Sequence, residues 1–164
     1  MSKKEKIYEI ERKFLLTTLP EGLEGYTFKD IEQCYISTNP TIRIRSINDK
    51  DYVLTIKGKG KIKKEEYELP LDKSSYENLK QKKEGITIQK RRYLIPLPQG
   101  LTAELDIYKG ELEGFMNVEV EFSSLEEAVL FVPPSWFGRE VSQNKRYSNA
   151  SLSKWGVPEE ENEG

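Results

Sequence analysis

Charged residues of one sign recur two positions apart along this chain. Glu9 and Glu11 come first, with Lys13 one step further, followed by Arg43/Arg45, Glu66/Glu68, Lys90/Arg92, Glu104/Asp106 and Glu119/Glu121. Side chains at i and i+2 share a face only in an extended strand, so this spacing predicts strand after strand with one charged face. Apart from Arg12 and Arg91, the intervening positions are Ile, Val, Leu or aromatic, as in TIRIRSI (41–47) and VEVEF (118–122). A half-buried sheet with its polar face in water shows the same alternation. These pairs differ in that each keeps one sign and the acidic and basic pairs come from different strands, as a site for an anion and its metal ions requires.

The pattern divides the chain into about eight strands, over 6–16, 31–37, 41–47, 51–57, 63–71, 86–96, 101–109 and 115–122. Pro20, Gly22 and Gly25 make 17–29 a loop, Asn39-Pro40 a turn, and 48–50 a hairpin turn. A helix is expected over 74–83, capped by Asp72 or Ser74 with Tyr76 and Leu79 buried, and another over 123–132 with a serine cap. Pro133-Pro134 stops the second, and 144–156 contains a last short helix. GKGKIKK (58–64) resembles a phosphate loop only in composition, since it lacks the P-loop spacing and precedes a strand, so it reads as a hairpin. The chain of 164 residues suits one domain over 1–157, with the acidic stretch 158–164 a disordered tail.

Composition excludes several chemistries. There are 26 Lys and Arg against 28 Asp and Glu, without the basic excess of a nucleic-acid binder. The single Cys34 forms no internal disulfide or Cys-rich zinc site and reads as a packed thiol. No histidine is present, which removes Ser-His and Cys-His catalysis and His-ligated zinc. Any metal must be held by carboxylate oxygens, which favours Mg²⁺, Mn²⁺ or Ca²⁺. No membrane-spanning run or secretory leader is apparent, so a cytoplasmic location and no membrane partner are expected. Monomer and homodimer are both compatible with this composition.

About eight antiparallel strands tend to close. Two arrangements satisfy the alternation. The charge lies outside around an apolar core, or inside around a polar lumen with helices over the apolar outer surface. Glu9-x-Glu11-x-Lys13 by itself fits a solvated face. Glu119-x-Glu121, flanked by Val118, Val120 and Phe122, is harder to place in water. Arg43, Arg45, Lys57, Lys90 and Arg92, with Lys145 or Arg146 near the end, form the matching basic set, in which arginine forks suit phosphate oxygens. Arg12 and Arg91 fall on the opposite faces of their strands and read as surface charge or cross-strand ion pairs.

The run EIERKFL (9–15) is similar to the ExExK signature of the CYTH superfamily, the triphosphate tunnel metalloenzymes. The resemblance continues in order through TIRIR (41–45), LTIKGKG (54–60), EEYELPL (65–71), IQKRRYLI (88–95), AELDIY (103–108), VEVEF (118–122) and KRYSNASL (145–152). It implies a mainly β, α+β fold: a closed eight-stranded antiparallel barrel with flanking helices, whose charged lumen binds triphosphate with a divalent metal. It further implies that Glu9, Glu11, Glu119 and Glu121 ligate Mg²⁺ or Mn²⁺, with Glu104 and Asp106 as a further acidic pair. Lys13, Arg43, Arg45, Lys57, Lys90 and Arg92 match the phosphate-binding positions, and Lys145 or Arg146 matches a basic residue at the tunnel mouth. Glu66 and Glu68 match a pair serving a second metal or the attacking water, and with Lys13 they form the expected catalytic set.

The expected function is therefore metal-dependent hydrolysis of inorganic triphosphate to pyrophosphate and phosphate. Three alternatives stand beside it. A class IV-type adenylate cyclase needs a base-stacking platform, and none is evident. A thiamine or nucleoside triphosphatase could use Trp136 for stacking, although that residue reads better as packing. A non-catalytic polyphosphate-binding module would not need so many carboxylates facing a polyanion.

Overall fold

The computed structural model describes residues 10–58 and 65–159. Glu9, most of the 58–64 loop and the end of the acidic tail lie outside the described residues. The strands are β1 (Ile10–Leu15), β2 (Thr27–Thr38), β3 (Thr41–Ile47), β4 (Asp51–Lys57), β5 (Glu66–Leu71), β6 (Glu84–Pro96), β7 (Thr102–Lys109) and β8 (Met116–Phe122). The helices are α1 (Lys73–Lys80), α2 (Leu125–Leu130) and α3 (Asn149–Trp155). All eight strands form one antiparallel sheet in the order β1-β8-β7-β6-β2-β3-β4-β5. Two meanders, β2 to β5 and β6 to β8, join along the β2–β6 ladder. β2 starts at Thr27, earlier than its apolar run, because the long β6 extends the ladder from Leu94 opposite Thr27 to Ile88 opposite Gln33.

The sheet curls strongly. β1 and β2 stand four places apart in the strand order, which in a flat sheet would separate them by roughly 19 Å. Lys13 of β1 nevertheless acts electrostatically on Tyr35 of β2. Arg45 of β3 likewise feels Asp106 of β7. The charged face is the concave one.

The curl does not end in the expected closed barrel. Among the described residues no ladder joins β1 to β5. The free edge of β1 is already occupied by the segment after α2: Leu15 N–H donates to Arg139 O at 2.8 Å, Gly138 N–H to Leu15 O at 2.7 Å, and Val141 N–H to Lys13 O at 2.8 Å. Gly138 permits this approach, because a Cβ there would lie 2.5 Å from Leu15 O. At the other edge, β5 is six residues long and carries Pro70, which lacks a ladder donor and suits an edge strand. The interior is thus the hollow of an open, curled sheet.

On the convex face, Phe14, Ala103, Leu105, Val118, Val120 and Phe122 are buried with Ala128 of α2 and Phe137. Cys34, Ile44 and Tyr52 are buried with Tyr76 of α1, in keeping with the packed-thiol reading of Cys34. Asp72 caps α1 by accepting from Ser75 N–H at 2.7 Å, and Ser124 caps α2 through Glu127 N–H at 3.1 Å. Trp136 packs edge-on against Phe137 in the first cluster, as a packing residue away from the concave face. Among the described residues no helix is long and apolar enough to cross a membrane.

α3 lies on the concave side, where Leu152 packs with Tyr35, Ile88 and Tyr108 and closes one end of the hollow. Ser153 Oγ donates to Ile86 O at 3.1 Å. Gly85 has φ +73°, and a Cβ there would stand 2.4 Å from Ser153 O, a backbone atom. Gly85→Ala should therefore lift α3 off β6 and lower stability by about 2 kcal/mol or more, read as a drop in Tm.

Candidate active site

Register decides which side chains meet on the concave face. Lys13 is opposite Glu119, Glu119 opposite Glu104, and Glu11 opposite Glu121, so β1, β8 and β7 form an acidic wall around one lysine. Asp106 is opposite Arg92 in the β6–β7 ladder. A third row runs from Tyr35 through Arg43 and Thr55 to Glu68 across β2 to β5, with Lys57 opposite Glu66 beside it. The acids on β1, β7 and β8 thus face a basic wall supplied by β6, β3 and β4.

One ion-pair centre connects these walls, and a second lies within the acidic one. Arg92 Nε and Nη2 donate to the two carboxylate oxygens of Asp106 at 2.8 and 3.0 Å, while Nη1 donates to Glu104 at 3.1 Å. Lys90 Nζ lies 2.9 Å from Asp106 Oδ2, and both residues are about 1% exposed. In the second centre, Lys13 Nζ lies 3.1 Å from Glu119 Oε1 and donates to the backbone oxygen of Tyr147 at 3.0 Å. Arg45 Nε donates to the Gln33 side chain at 3.1 Å, and Arg43 stands 3.9 Å from Glu66.

Burial and charge act against each other here. Burial would raise the Asp106 pKa, but Lys90 and Arg92 outweigh it and hold the carboxyl below its ordinary range. Burial lowers Lys90 and Asp106 opposes, while Arg92 and Arg45 push it further down, to about 8. Asp106 thus has two adjacent cations in its favour, whereas Asp106 and Glu119 together do not offset the burial of Lys90. Arg45 falls to about 10, through burial first and then Arg43 and Arg92. Burial would raise Glu119, yet Lys13 leaves its net shift downward.

Most of the residues singled out in the sequence share this hollow: Glu11, Lys13, Arg43, Arg45, Lys57, Glu66, Lys90, Arg92, Glu104, Asp106, Glu119 and Glu121. Glu11 and Glu121 are exposed at the rim, Glu68 is on the same face but exposed at the β5 edge, and Lys145 and Arg146 are exposed. It is the Tyr147 carbonyl beside them that reaches Lys13. Arg12 pairs with Glu140 at 2.7 Å and Arg91 with Asp30 at 2.8 Å on the convex face, as the sequence reading of both suggests. Uncharged members of the concave face were missed: Gln33, Tyr35, Thr55, Tyr108 and Asn117. Tyr108 Oη donates to Asn149 at 2.9 Å and receives from Asn117 at 3.2 Å. The same i,i+2 rule reaches them, since Thr55 precedes Lys57, Tyr108 follows Asp106 and Asn117 precedes Glu119 by two.

The donors suit a hard divalent cation. Glu11 faces Glu121 and Glu104 faces Glu119 across paired strands, an arrangement of like charges that is unfavourable without a cation. A cavity of about 350 Å³ opens between Leu94, Gly100, Leu101, Thr102, Glu104 and Glu121. Among the described residues no three potential ligands are grouped tightly enough to cage a metal. Mg²⁺ typically needs only one or two carboxylates, with waters and substrate phosphates completing its shell. Asp106 fits this role poorly because Arg92 and Lys90 engage both its oxygens.

Residues 8–152 match the model of the CYTH domain. The inorganic triphosphatase of Nitrosomonas europaea is 42% identical over 149 residues, covering 88% of this chain and 96% of that protein. The inorganic triphosphatase of Acetivibrio thermocellus is 36% identical over 157 residues, covering 89% and 93%. The crystal structure of the inorganic triphosphatase NE1496 superposes with a TM-score of 0.72 at 39% identity, covering 90% of this chain and 95% of that one.

Proposed function

Because the chain belongs to the CYTH domain family, we propose that it is a hydrolase that cleaves inorganic triphosphate to pyrophosphate and orthophosphate. The observation that carries this reading is the segregated hollow, with acids on β1, β7 and β8 and guanidinium and ammonium groups on β6, β3 and β4. A linear polyanion meets both halves only if divalent cations accompany it. The two triphosphatases that are 42% and 36% identical support the choice of substrate.

Glu11, Glu104, Glu119 and Glu121, with Glu9, are assigned to holding Mg²⁺ or Mn²⁺. A bound ion of this kind neutralises charge on phosphate oxygens and fixes their position. Arg43, Arg45, Lys57, Lys90 and Arg92 hold the phosphate oxygens in line, and Asp106 positions Arg92 and Lys90 for that task. Lys13, held between Glu119 and the Tyr147 carbonyl, adds positive charge beside the acidic wall. Glu66 Oε accepts the proton of the attacking water, with Glu68 at the outer edge as its partner carboxylate. Water oxygen bonds to the terminal phosphorus, the bridging P–O bond breaks, and pyrophosphate leaves. Positioning and electrostatics supply most of the rate, since no histidine is available as a base.

Incubation with tripolyphosphate, ATP and thiamine triphosphate, each with Mg²⁺ or Mn²⁺, tests the assignment. Fastest phosphate release from tripolyphosphate is expected. Cyclic AMP from ATP, preferential thiamine triphosphate cleavage, or binding without products would each contradict it.

A further inference from the structure

Among the described residues four buried side-chain atoms lack a hydrogen-bond partner, Arg43 Nε, Thr55 Oγ1, Lys90 Nζ and Asn117 Oδ1. Lys90 has its ion pair with Asp106, and Thr55 and Arg43 are adjacent on paired strands. Thr55 is fully buried at the middle of β4, and its Oγ1 has no hydrogen-bond partner. The Nε of Arg43, on a residue 8% exposed, is in the same position. Register sets these residues directly opposite each other on β3 and β4, with Glu68 opposite Thr55 on the other side. Thr55 shares its face with Lys57, two residues on, while its neighbours Leu54 and Ile56 are on the side where Leu54 packs with the cluster under α1. A buried hydroxyl without a partner is costly, and valine would fill the same space at no such cost. An oxyanion satisfies both atoms at once, because it accepts from the guanidinium N–H and the hydroxyl together and its charge matches that of Arg43.

We propose that Thr55 is a further substrate-contacting residue, its Oγ–H donating to a phosphate oxygen of inorganic triphosphate beside Arg43 Nε. This assignment rests on the triphosphatase reading above. It makes β4 a contributor of a neutral donor as well as of the Lys57 charge, and it extends the phosphate track toward Glu68.

The test compares Thr55→Val and Thr55→Ser with the wild-type protein, by steady-state kinetics on tripolyphosphate and by thermal melts with and without it. The valine variant should raise KM about tenfold, as loss of one hydrogen bond to a charged group does. Its ligand-free Tm should equal or exceed that of the wild type, while its Tm gain from tripolyphosphate shrinks. The serine variant keeps the hydroxyl and should restore KM. An unchanged KM in the valine variant overturns the assignment, and so does a lowered ligand-free Tm, which would mean that the hydroxyl serves the fold. Wild-type protein that neither cleaves nor binds tripolyphosphate overturns the underlying functional reading, and this assignment with it.

Discussion

Glu119→Gln is expected to abolish metal-supported triphosphate turnover, with a loss on the order of 10³-fold, while the protein remains folded. Glu119 stands at the junction of the acidic wall, opposite both Lys13 and Glu104. The amide keeps the shape of the side chain but removes the charge that a cation needs and that Lys13 pairs with at 3.1 Å. Lys13 would keep its bond to the Tyr147 carbonyl, so the stability cost should be limited to about 1–3 kcal/mol. The wild-type carboxyl lies below its ordinary pKa in the folded state. Its stabilising contribution is therefore present above the unfolded carboxyl pKa and lost as pH falls through the lower folded value. Acid melts of the two proteins should converge in that range. Turnover retained in Glu119→Gln would remove the residue from the site.

The second large effect concerns Lys90, for which activity and stability should move apart. The ammonium is about 1% exposed, and burial with two neighbouring guanidiniums brings its pKa down to about 8. A cation kept there against burial is a cost to the fold. Lys90→Met should lower kcat/KM by about 10² or more, because one of the central charges on the phosphates disappears. Tm should equal or exceed that of the wild type, since Asp106 keeps its two bonds from Arg92 and an apolar side chain of similar volume fills the space. The pH dependence follows from the lowered folded pKa. Between about 8 and the ordinary lysine value of 10.5, the unfolded chain holds this proton and the folded one sheds it. Lys90 therefore costs stability fully below pH about 8, and that cost is relieved as pH rises. Wild-type stability should gain on that of Lys90→Met across this window. A Tm markedly below wild type at neutral pH would mean that the Lys90–Asp106 pair holds the fold together.

Strand positions and the facing of charged side chains were legible in the chain because the i,i+2 rule is local. Arg43 and Arg45 had to share a face once 41–47 was extended, and Arg12 had to leave the one occupied by Glu11 and Lys13. Partnerships were not legible, because register is a property of two strands. Nothing in the sequence sets Glu119 between Lys13 and Glu104, or closes Asp106 between Arg92 and Lys90 so that it serves the cations better than a metal. The neutral residues Gln33, Thr55 and Asn117 escaped for a different reason: a search for charge passes over a hydroxyl or amide on the same face. Barrel closure failed through a backbone competition along the EIERKFL strand, from a segment that carries no i,i+2 charged pair of its own. Segment 138–141 takes the β1 edge that β5 would need, and the only local hint was Gly138, whose missing Cβ lets that segment approach.

The central claim, that the segregated hollow hydrolyses triphosphate with the help of a divalent cation, is tested most directly by following products from tripolyphosphate during a Mg²⁺ or Mn²⁺ titration. One pyrophosphate and one orthophosphate per substrate should appear in proportion as metal is added, and cease when EDTA removes it. Tripolyphosphate left intact at every metal concentration, or cleaved equally well in EDTA, would contradict the account.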